Sequence, residues 1–388
     1  MKRSLLIAPF FPPEHGGIQK YLYNICKNLP QDKIFVMAPK HKNTNGQKIQ
    51  DEEVKFDQAQ PFKIYRTKFS SILRFLHLTP YSIYRQAKKI CKKQKIEIVQ
   101  CGHLYPAGAA GLLLKKFQGI SYLVYVYGQE FLEIKNFPRA KFKTVLSVLK
   151  NADHIIVIAD FLKKRLEKYG IGPNKIIKIP PGVDFEFFRP NLNVENLRKE
   201  LNLQNKKIIF TCGRLVARKN HKAIISVLPK ILKKIKNVVY LIAGDGPEKE
   251  RLQNLVKKLS LENHVIFLGE VKDHQLPFYY NLCNVFCMPS SEIKETGDVE
   301  GFGIVFLEAQ ACEKPVIGGR TGGIPDAIDD EIDGILIDPE NTQALRSALI
   351  KILEDEELAK KMGKAGRKKV IQKHDWRKLI ERLKPLLE

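Results

Sequence analysis

The sequence predicts an α/β protein built from two doubly wound sheets. Short, nearly uninterrupted apolar runs alternate with amphipathic helical stretches through both halves of the chain. With 388 residues, 44% of them hydrophobic, each half is long enough to bury a core of its own. In the first half, residues 4–10, 34–38, 96–101, 123–127, 155–158 and 176–179 read as buried strands. In the second, 207–212, 238–243, 265–268, 285–288, 315–317 and 335–337 read the same way. Helical periodicity fills the gaps, including 18–29, 223–236, 248–259 and 344–353. An aromatic, proline-bearing connector, DFEFFRPNLN at 184–193, separates the halves. The expected domains are therefore 1–188 and 189–372, followed by a last helix that contains the sole tryptophan, Trp376. Ligands of doubly wound sheets sit beyond the carboxyl ends of the strands, so a site is expected in a cleft between the halves.

The opening MKRSLLIAPFFPP imitates a secretion signal, with Lys2 and Arg3 ahead of an apolar stretch. That stretch is short, runs into Pro12 and Pro13, and no small-residue cleavage site follows. A first buried strand is the better reading, which places the chain in the cytoplasm. No apolar run approaches the length of a membrane span. The seven cysteines include no CxxC pair and have no histidine at ligand spacing, so reduced buried thiols are expected and a zinc site is not.

The formal net charge is +24, unevenly spread. Residues 1–188 hold 32 basic and 14 acidic side chains, whereas 189–388 hold 34 and 28. Scattered solvated lysines would account for part of this. The basic residues, however, interleave with apolar ones at helical spacing. In 139–150, Phe142, Val145, Leu146 and Leu149 share one side of a helix and Lys141, Lys143 and Lys150 lie elsewhere. Residues 72–95 offer Leu73, Phe75, Leu76, Leu78, Tyr81, Ile83 and Tyr84 before KKICKKQK. This pattern suits a helix lying on a membrane interface, where each Lys or Arg near an anionic leaflet contributes about 1 kcal/mol. No nucleic-acid fold signature accompanies the charge, so an anionic membrane surface is the expected partner.

The stretch DVEGFGIVFLEAQAC at 298–312 sets Glu300 and Glu308 eight residues apart, across a glycine-rich turn and a helix start. Two carboxylates flanking open backbone amides can grip sugar hydroxyls at both ends while the amides face a diphosphate. GRLVARKN at 213–220 follows a strand end and brings Arg214 and Lys219 near where a diphosphate would sit, with Arg218 and Lys222 crowding the same segment as surface charge. Gly16 and Gly17 follow the first strand and precede a helix, where amides can point at an anion. Gly322 and Gly323 offer a similar turn, which an ordinary tight turn would equally explain. An NAD-type fingerprint is absent: Gly244 and Gly246 lack a third glycine, and Lys249 stands in its place.

These pieces, with FPPEHGGIQKYL at 11–22, PPGVD at 180–184, AGDGP at 243–247 and TGGIPD at 321–326, occur in one order along the chain. Their order and wording resemble the retaining glycosyltransferases of family 4, and most of all the phosphatidylinositol mannoside mannosyltransferase branch. The resemblance implies the GT-B fold, two Rossmann-like domains facing across a cleft. It implies an acceptor-binding first domain, a nucleotide-sugar-binding second domain, and a last helix at 373–388 that packs back on the first. It further implies a metal-independent hexosyltransferase, with GDP-mannose the first donor expected and a lipid-linked or glycan acceptor at the cytoplasmic membrane face. A UDP-sugar with a soluble acceptor, or a non-catalytic nucleotide-sugar-binding subunit, are the alternatives.

By the same resemblance, Arg214 and Lys219 stabilise the departing diphosphate in place of a metal. Glu300 meets the donor sugar and Glu308 the ribose. Gly301, Phe302, Gly303 and Ile304 line sugar and phosphate, and Gly16, Gly17 and Gly213 complete the phosphate site. Backbone near Gly269 and Val271, in FLGEV, reads the base. One departure stands out: where relatives have a histidine beside the reacting carbon, this chain has Tyr127 ahead of Gly128, Gln129 and Glu130. Tyr127 can donate a hydrogen bond but is no base near neutral pH. A core aromatic is its other reading. His103, in QCGHLYP, is the substitute considered beside a purely structural histidine. A hydrolase would also use two carboxylates, but would not need the cationic pair.

Overall fold

The apolar run after Arg3 forms β1 (Ser4–Ile7), buried along its whole length. In the computed structural model, residues 1–14, 16–40, 47–67, 69, 79–128 and 138–388 are described, with backbone alone for 47–50. The other strands of the first unit are β2 (Ile34–Pro39), β3 (Lys63–Thr67), β4 (Ile98–Cys101), β5 (Ser121–Val126), β6 (His154–Val157) and β7 (Ile176–Lys178). Those of the second are β8 (Lys207–Cys212), β9 (Val238–Ala243), β10 (Val265–Gly269), β11 (Val285–Met288), β12 (Val316–Gly319) and β13 (Gly334–Ile337). The sheet orders are β3-β2-β1-β4-β5-β6-β7 and β10-β9-β8-β11-β12-β13, and every described pairing between these strands is parallel.

Parallel strands covered on both faces carry unbroken apolar runs rather than alternation, which is why VVYLIA in β9 is buried at all positions. Three edge strands are less covered: β7 and β10 are each buried at their first residue alone, and β3, KIYRT, has one exposed and four half-buried residues. No expectation from sequence placed a strand at β3. In each sheet the strand order reverses direction once, at β1–β4 and at β8–β11. Beyond the carboxyl ends at such a reversal the flanking loops diverge and leave room for a ligand.

The chain divides into two compact units, Met1–Pro181 with Trp376–Glu388, and Gly182–Asp375. The connector expected at 184–193 thus lies inside the second unit, where the Val183 amide donates to the His374 carbonyl at 3.0 Å. The short helix Trp376–Leu383 belongs to the first unit and buries Trp376, Leu379, Ile380 and Leu383. Trp376 meets Tyr21 edge-on at 5.5 Å, on helix Gly17–Asn28. The amide of Lys2 donates to the Leu387 carbonyl at 2.7 Å, closing the first unit on the chain's end.

The amphipathic stretches behave differently from the membrane-lying helices expected. In helix Thr79–Gln94, Ile83 and Tyr84 are buried with Ala87, Ile90 and Cys91. In helix Arg139–Asn151, Val145 and Leu149 are buried with Val148. A stripe of period 3.6 serves a helix packed on its own sheet as well as one on lipid, and here these residues face protein. Tyr81 and Phe117 remain more than half exposed, with Lys116 over the Phe117 ring. Residues 72–78, including Leu73, Phe75, Leu76 and Leu78, lie outside the described part.

Candidate active site

The carboxyl edge of the second sheet is built by glycine-limited backbone approach. The turn after β8 lies on the turn after β9: Gly213 donates to Ala243 and Leu215 to Asp245, both at 2.9 Å. A Cβ on Gly244 would fall 2.1 Å from the Gly213 carbonyl oxygen, so no side chain fits there. Gly269, at the end of β10, accepts from the Gly244 amide at 2.7 Å, and Val271 follows it half-buried. These bonds aim the short 3-10 turn Ala217–Lys219 at the entry of helix His221–Leu232. Asn220 then ties that turn to the β11 side, its Nδ2 donating to the carbonyls of Pro289 at 3.2 Å and Pro339 at 3.3 Å.

Lys219 is buried, and its Nζ donates to Glu300 Oε2 at 2.6 Å. Arg218 Nη1 donates to the same oxygen, and Arg218 Nε lies 3.1 Å from Asp298 Oδ1. Burial alone would raise the Glu300 pKa; the nearby Lys219 and Arg218 outweigh it and hold the carboxyl down to about 2. An ionised, doubly paired carboxylate receives hydroxyl hydrogen bonds and does not donate protons. Glu300 is therefore unsuited to the acid role of a hydrolase pair. The arginine beside Lys219 on this carboxylate is Arg218. Arg214, expected from sequence to share the diphosphate with Lys219, is exposed in the turn after β8. A run of cations in one short segment gives no sequence signal as to which of them turns inward.

The glutamate's backbone is fixed by the other glycine turn. Gly323 donates to the Glu300 carbonyl at 2.9 Å. Gly322 has φ +54°, and a Cβ there would lie 2.2 Å from that same carbonyl oxygen. The pair, read from sequence either as anion donors or as an ordinary tight turn, forms a tight turn that holds Glu300, with the Gly323 amide engaged by its carbonyl. After half-buried Gly301, Phe302 is buried with its ring 5.8 Å from His374. Gly303 is the N-cap of helix Ile304–Ala311, placing half-buried Ile304 at its first position. Glu308, one turn further, is buried and accepts from the Tyr280 hydroxyl at 2.7 Å. Tyr280 is a hydroxyl partner that spacing could not reveal.

His221 heads the helix behind Lys219, buried, with Nδ1 3.0 Å from the Tyr240 hydroxyl. Burial first, and the Lys219 charge second, lower its pKa from 6.5 to about 4. The native state thus resists a proton that the unfolded chain accepts below pH 6.5. Stability is full above that pH and is lost as pH falls toward 4, by about 2–3 kcal/mol for this group. Urea unfolding at pH 7 and pH 4.5 should show the loss, and His221→Gln should flatten this part of the profile. An unchanged slope in the variant would remove His221 as its source.

In the first unit, the loops after β1, β4 and β5 gather a second group of the expected residues. Gly16 is the N-cap of helix Gly17–Asn28, and its carbonyl accepts from Lys20 at 3.0 Å. His103, after β4, is buried with Nδ1 3.0 Å from the Tyr105 carbonyl, and it meets Phe10 edge-on at 5.7 Å. Tyr127 is buried at the end of β5, its ring 5.8 Å from Tyr21 and 6.5 Å from His103. Gln129 and Glu130 lie outside the described residues. Sequence reading missed Arg66, on the edge strand β3. Its Nη2 donates to the Pro12 carbonyl at 2.6 Å and to Asp57 Oδ1 at 2.7 Å, anchoring the loop that leads to Gly16.

Among the described residues, no group of three or more His, Cys, Asp or Glu side chains could hold a metal ion. The described cysteines are free thiols, and Cys212 alone is not fully buried. No helix among the described residues is long and apolar enough to cross a membrane.

Two parallel sheets of this topology, with paired glutamates and basic side chains at the carboxyl edge of the second, define the class, and similarity to known proteins agrees. Residues 15–187 match the model for Glycosyltransferase Family 4, and residues 193–369 that for Glycosyl transferases group 1. The chain is 30% identical over 387 residues to GDP-mannose-dependent alpha-(1-6)-phosphatidylinositol monomannoside mannosyltransferase from Mycolicibacterium smegmatis, covering 99% of this chain and 97% of that one. It is 26% identical to the GDP-mannose-dependent monoacylated alpha-(1-6)-phosphatidylinositol monomannoside mannosyltransferase of Corynebacterium glutamicum, covering 100% and 98%. The chain belongs to glycosyltransferase family 4 and is a glycosyltransferase. Its fold is that of HepE from Anabaena in complex with UDP, with a TM-score of 0.82 and 18% identity over 100% and 99% of the two chains. Sucrose-phosphate synthase from Thermosynechococcus elongatus gives 0.82 and 22% over 100% and 98%.

Proposed function

We propose that this glycosyltransferase moves a hexose, with mannose from GDP-mannose the first choice, to a lipid-linked or glycan acceptor at the cytoplasmic face of the membrane. The observation that carries the reading is the Lys219–Glu300 pair, set at the strand-order reversal of the second sheet. The full-length similarity to mannosyltransferases named as GDP-mannose-dependent supports the choice of donor. The transfer is retaining and needs no metal. The acceptor hydroxyl attacks the anomeric carbon on the face from which the diphosphate departs, the carbon–oxygen bond to the diphosphate breaks, and a phosphate oxygen takes the proton. Lys219 and Arg214 neutralise the charge left on the diphosphate, as a preorganised cationic site does. Glu300 holds the sugar through its hydroxyls and Glu308 holds the ribose. From the first unit, Gly16 and Gly17 offer amides to the diphosphate, Tyr127, or His103 in its place, offers a hydrogen bond to the sugar, and the unit takes the acceptor.

Attachment to an anionic leaflet is part of the proposal. Exposed Tyr81 and Phe117 stand near the exposed Arg85, Lys88, Lys92 and Lys116 on neighbouring helices of the basic first unit. The test is a panel of GDP- and UDP-sugars offered with phosphatidylinositol-type vesicles or soluble sugars, scored by release of nucleoside diphosphate. GDP-mannose with the vesicles should give the highest rate. A UDP-sugar with a soluble acceptor as the preferred pair would replace this reading. Failure to turn over any donor would leave a binding subunit.

A further inference from the structure

Two carboxylates and two cations meet at the edge of the second sheet. Glu300 Oε2 is shared by Lys219 Nζ at 2.6 Å and by Arg218 Nη1, while Arg218 Nε lies 3.1 Å from Asp298 Oδ1. The Arg218, Lys219 and Glu300 side chains are 18%, 11% and 12% exposed, so little water is at hand to replace a lost partner. The Arg218 carbonyl accepts from Ser291 at 2.9 Å, which fixes its backbone against the β11 side. Asp298 and Glu300 are thus balanced by Arg218 and Lys219. A nucleoside diphosphate brings further negative charge. One of the three N–H groups of Lys219 is spent on Glu300 Oε2; drawing the ammonium fully onto the diphosphate gives up that bond, and a carboxylate left unpaired in a dry site is costly.

We propose that Arg218 is the standing counter-ion of Glu300, a positioning residue that frees Lys219 to turn from the carboxylate to the diphosphate of the donor. The inference rests on the reading of this site as a nucleotide-sugar site. Arginine suits the task because one planar guanidinium can serve two carboxylates at once, here with Nη1 donating to Glu300 and Nε at ion-pair distance from Asp298. Asp298 keeps the guanidinium in place while Lys219 moves. Without Arg218, Glu300 has Lys219 as its remaining cation, and the ammonium is withheld from the donor.

The test is a double-mutant cycle on the full chain, with calorimetric binding of GDP and of UDP as the readout. Arg218→Gln should weaken binding of the preferred nucleotide roughly tenfold, the size expected for directly coupled charges. Arg218→Lys should recover part of the loss. Combining Arg218→Gln with Glu300→Gln should bind more tightly than Arg218→Gln alone, because a neutral glutamine no longer detains Lys219. In turnover, Arg218→Gln should raise the donor KM more than it lowers kcat. Additive effects in the cycle, or Arg218→Lys binding no better than Arg218→Gln, would overturn the assignment. If the unaltered protein binds neither GDP nor UDP, the nucleotide-sugar reading falls and takes this role with it. If it binds one of them and the cycle is additive, only the role of Arg218 falls.

Discussion

Lys219→Ala lowers turnover by roughly 10²–10³, the usual effect of removing one preorganised stabilising donor. Arg214→Ala should do the same. Lys219 is buried at a turn fixed by Gly213, Leu215 and Asn220, so its backbone and stem are in place before the donor arrives and only the ammonium shifts from Glu300. Lys219 stands opposite the carboxylate that would hold the sugar, so a diphosphate joined to that sugar lies within its swing. Loss of the ammonium leaves Glu300 still paired with Arg218, and the fold should survive. Rates of nucleoside diphosphate release, taken with a thermal melt of each variant, separate chemistry from folding. Near-normal turnover in both variants would end the diphosphate role.

Legibility in the sequence followed burial on both faces. Strands of the two sheets announced themselves as apolar runs, as in LLI of β1 and VFCM of β11, because a polar side chain between two helical layers needs a buried partner, as Gln100 of β4 finds in Ser4 and Tyr125. KIYRT at the edge escaped notice because an edge strand needs only one buried face. Glu300 and Glu308 stand out by their spacing together with the GFG turn and the apolar IVFLEAQA run around them, and both lie at the carboxyl edge of the second sheet. Sequence reading names Arg214 for the diphosphate and sets Arg218 aside as surface charge; that Arg218 meets Glu300 depends on the 3-10 turn Ala217–Lys219 and on backbone bonds to Asp245 and from Ser291. The membrane reading of Ile83, Tyr84, Val145 and Leu149 failed for a related reason. Periodicity says which side of a helix is apolar and says nothing of what lies against it.

The largest stability effect should come from a buried ion pair that braces the helix bearing Glu308. Lys369, on helix Glu356–Lys373, donates to the Ala327 carbonyl at 2.7 Å and pairs with Asp333; both side chains are almost wholly buried. Asp333 Oδ1 also accepts from Gln310 Nε2 at 3.0 Å and from the Asp329 amide at 2.9 Å, and Gln310 sits on helix Ile304–Ala311. Burial raises the Asp333 pKa and lowers that of Lys369, which records how costly each charge is without the other. Lys369→Ala would leave an isolated carboxylate in that site and should cost about 3–5 kcal/mol. Lys369→Met combined with Asp333→Asn removes both charges while keeping the stem volume and the acceptor for Gln310, and should recover most of the loss. Urea unfolding of the three proteins decides the matter. A loss below about 1 kcal/mol in Lys369→Ala, the range of an exposed pair, would show that the pair does not brace this helix.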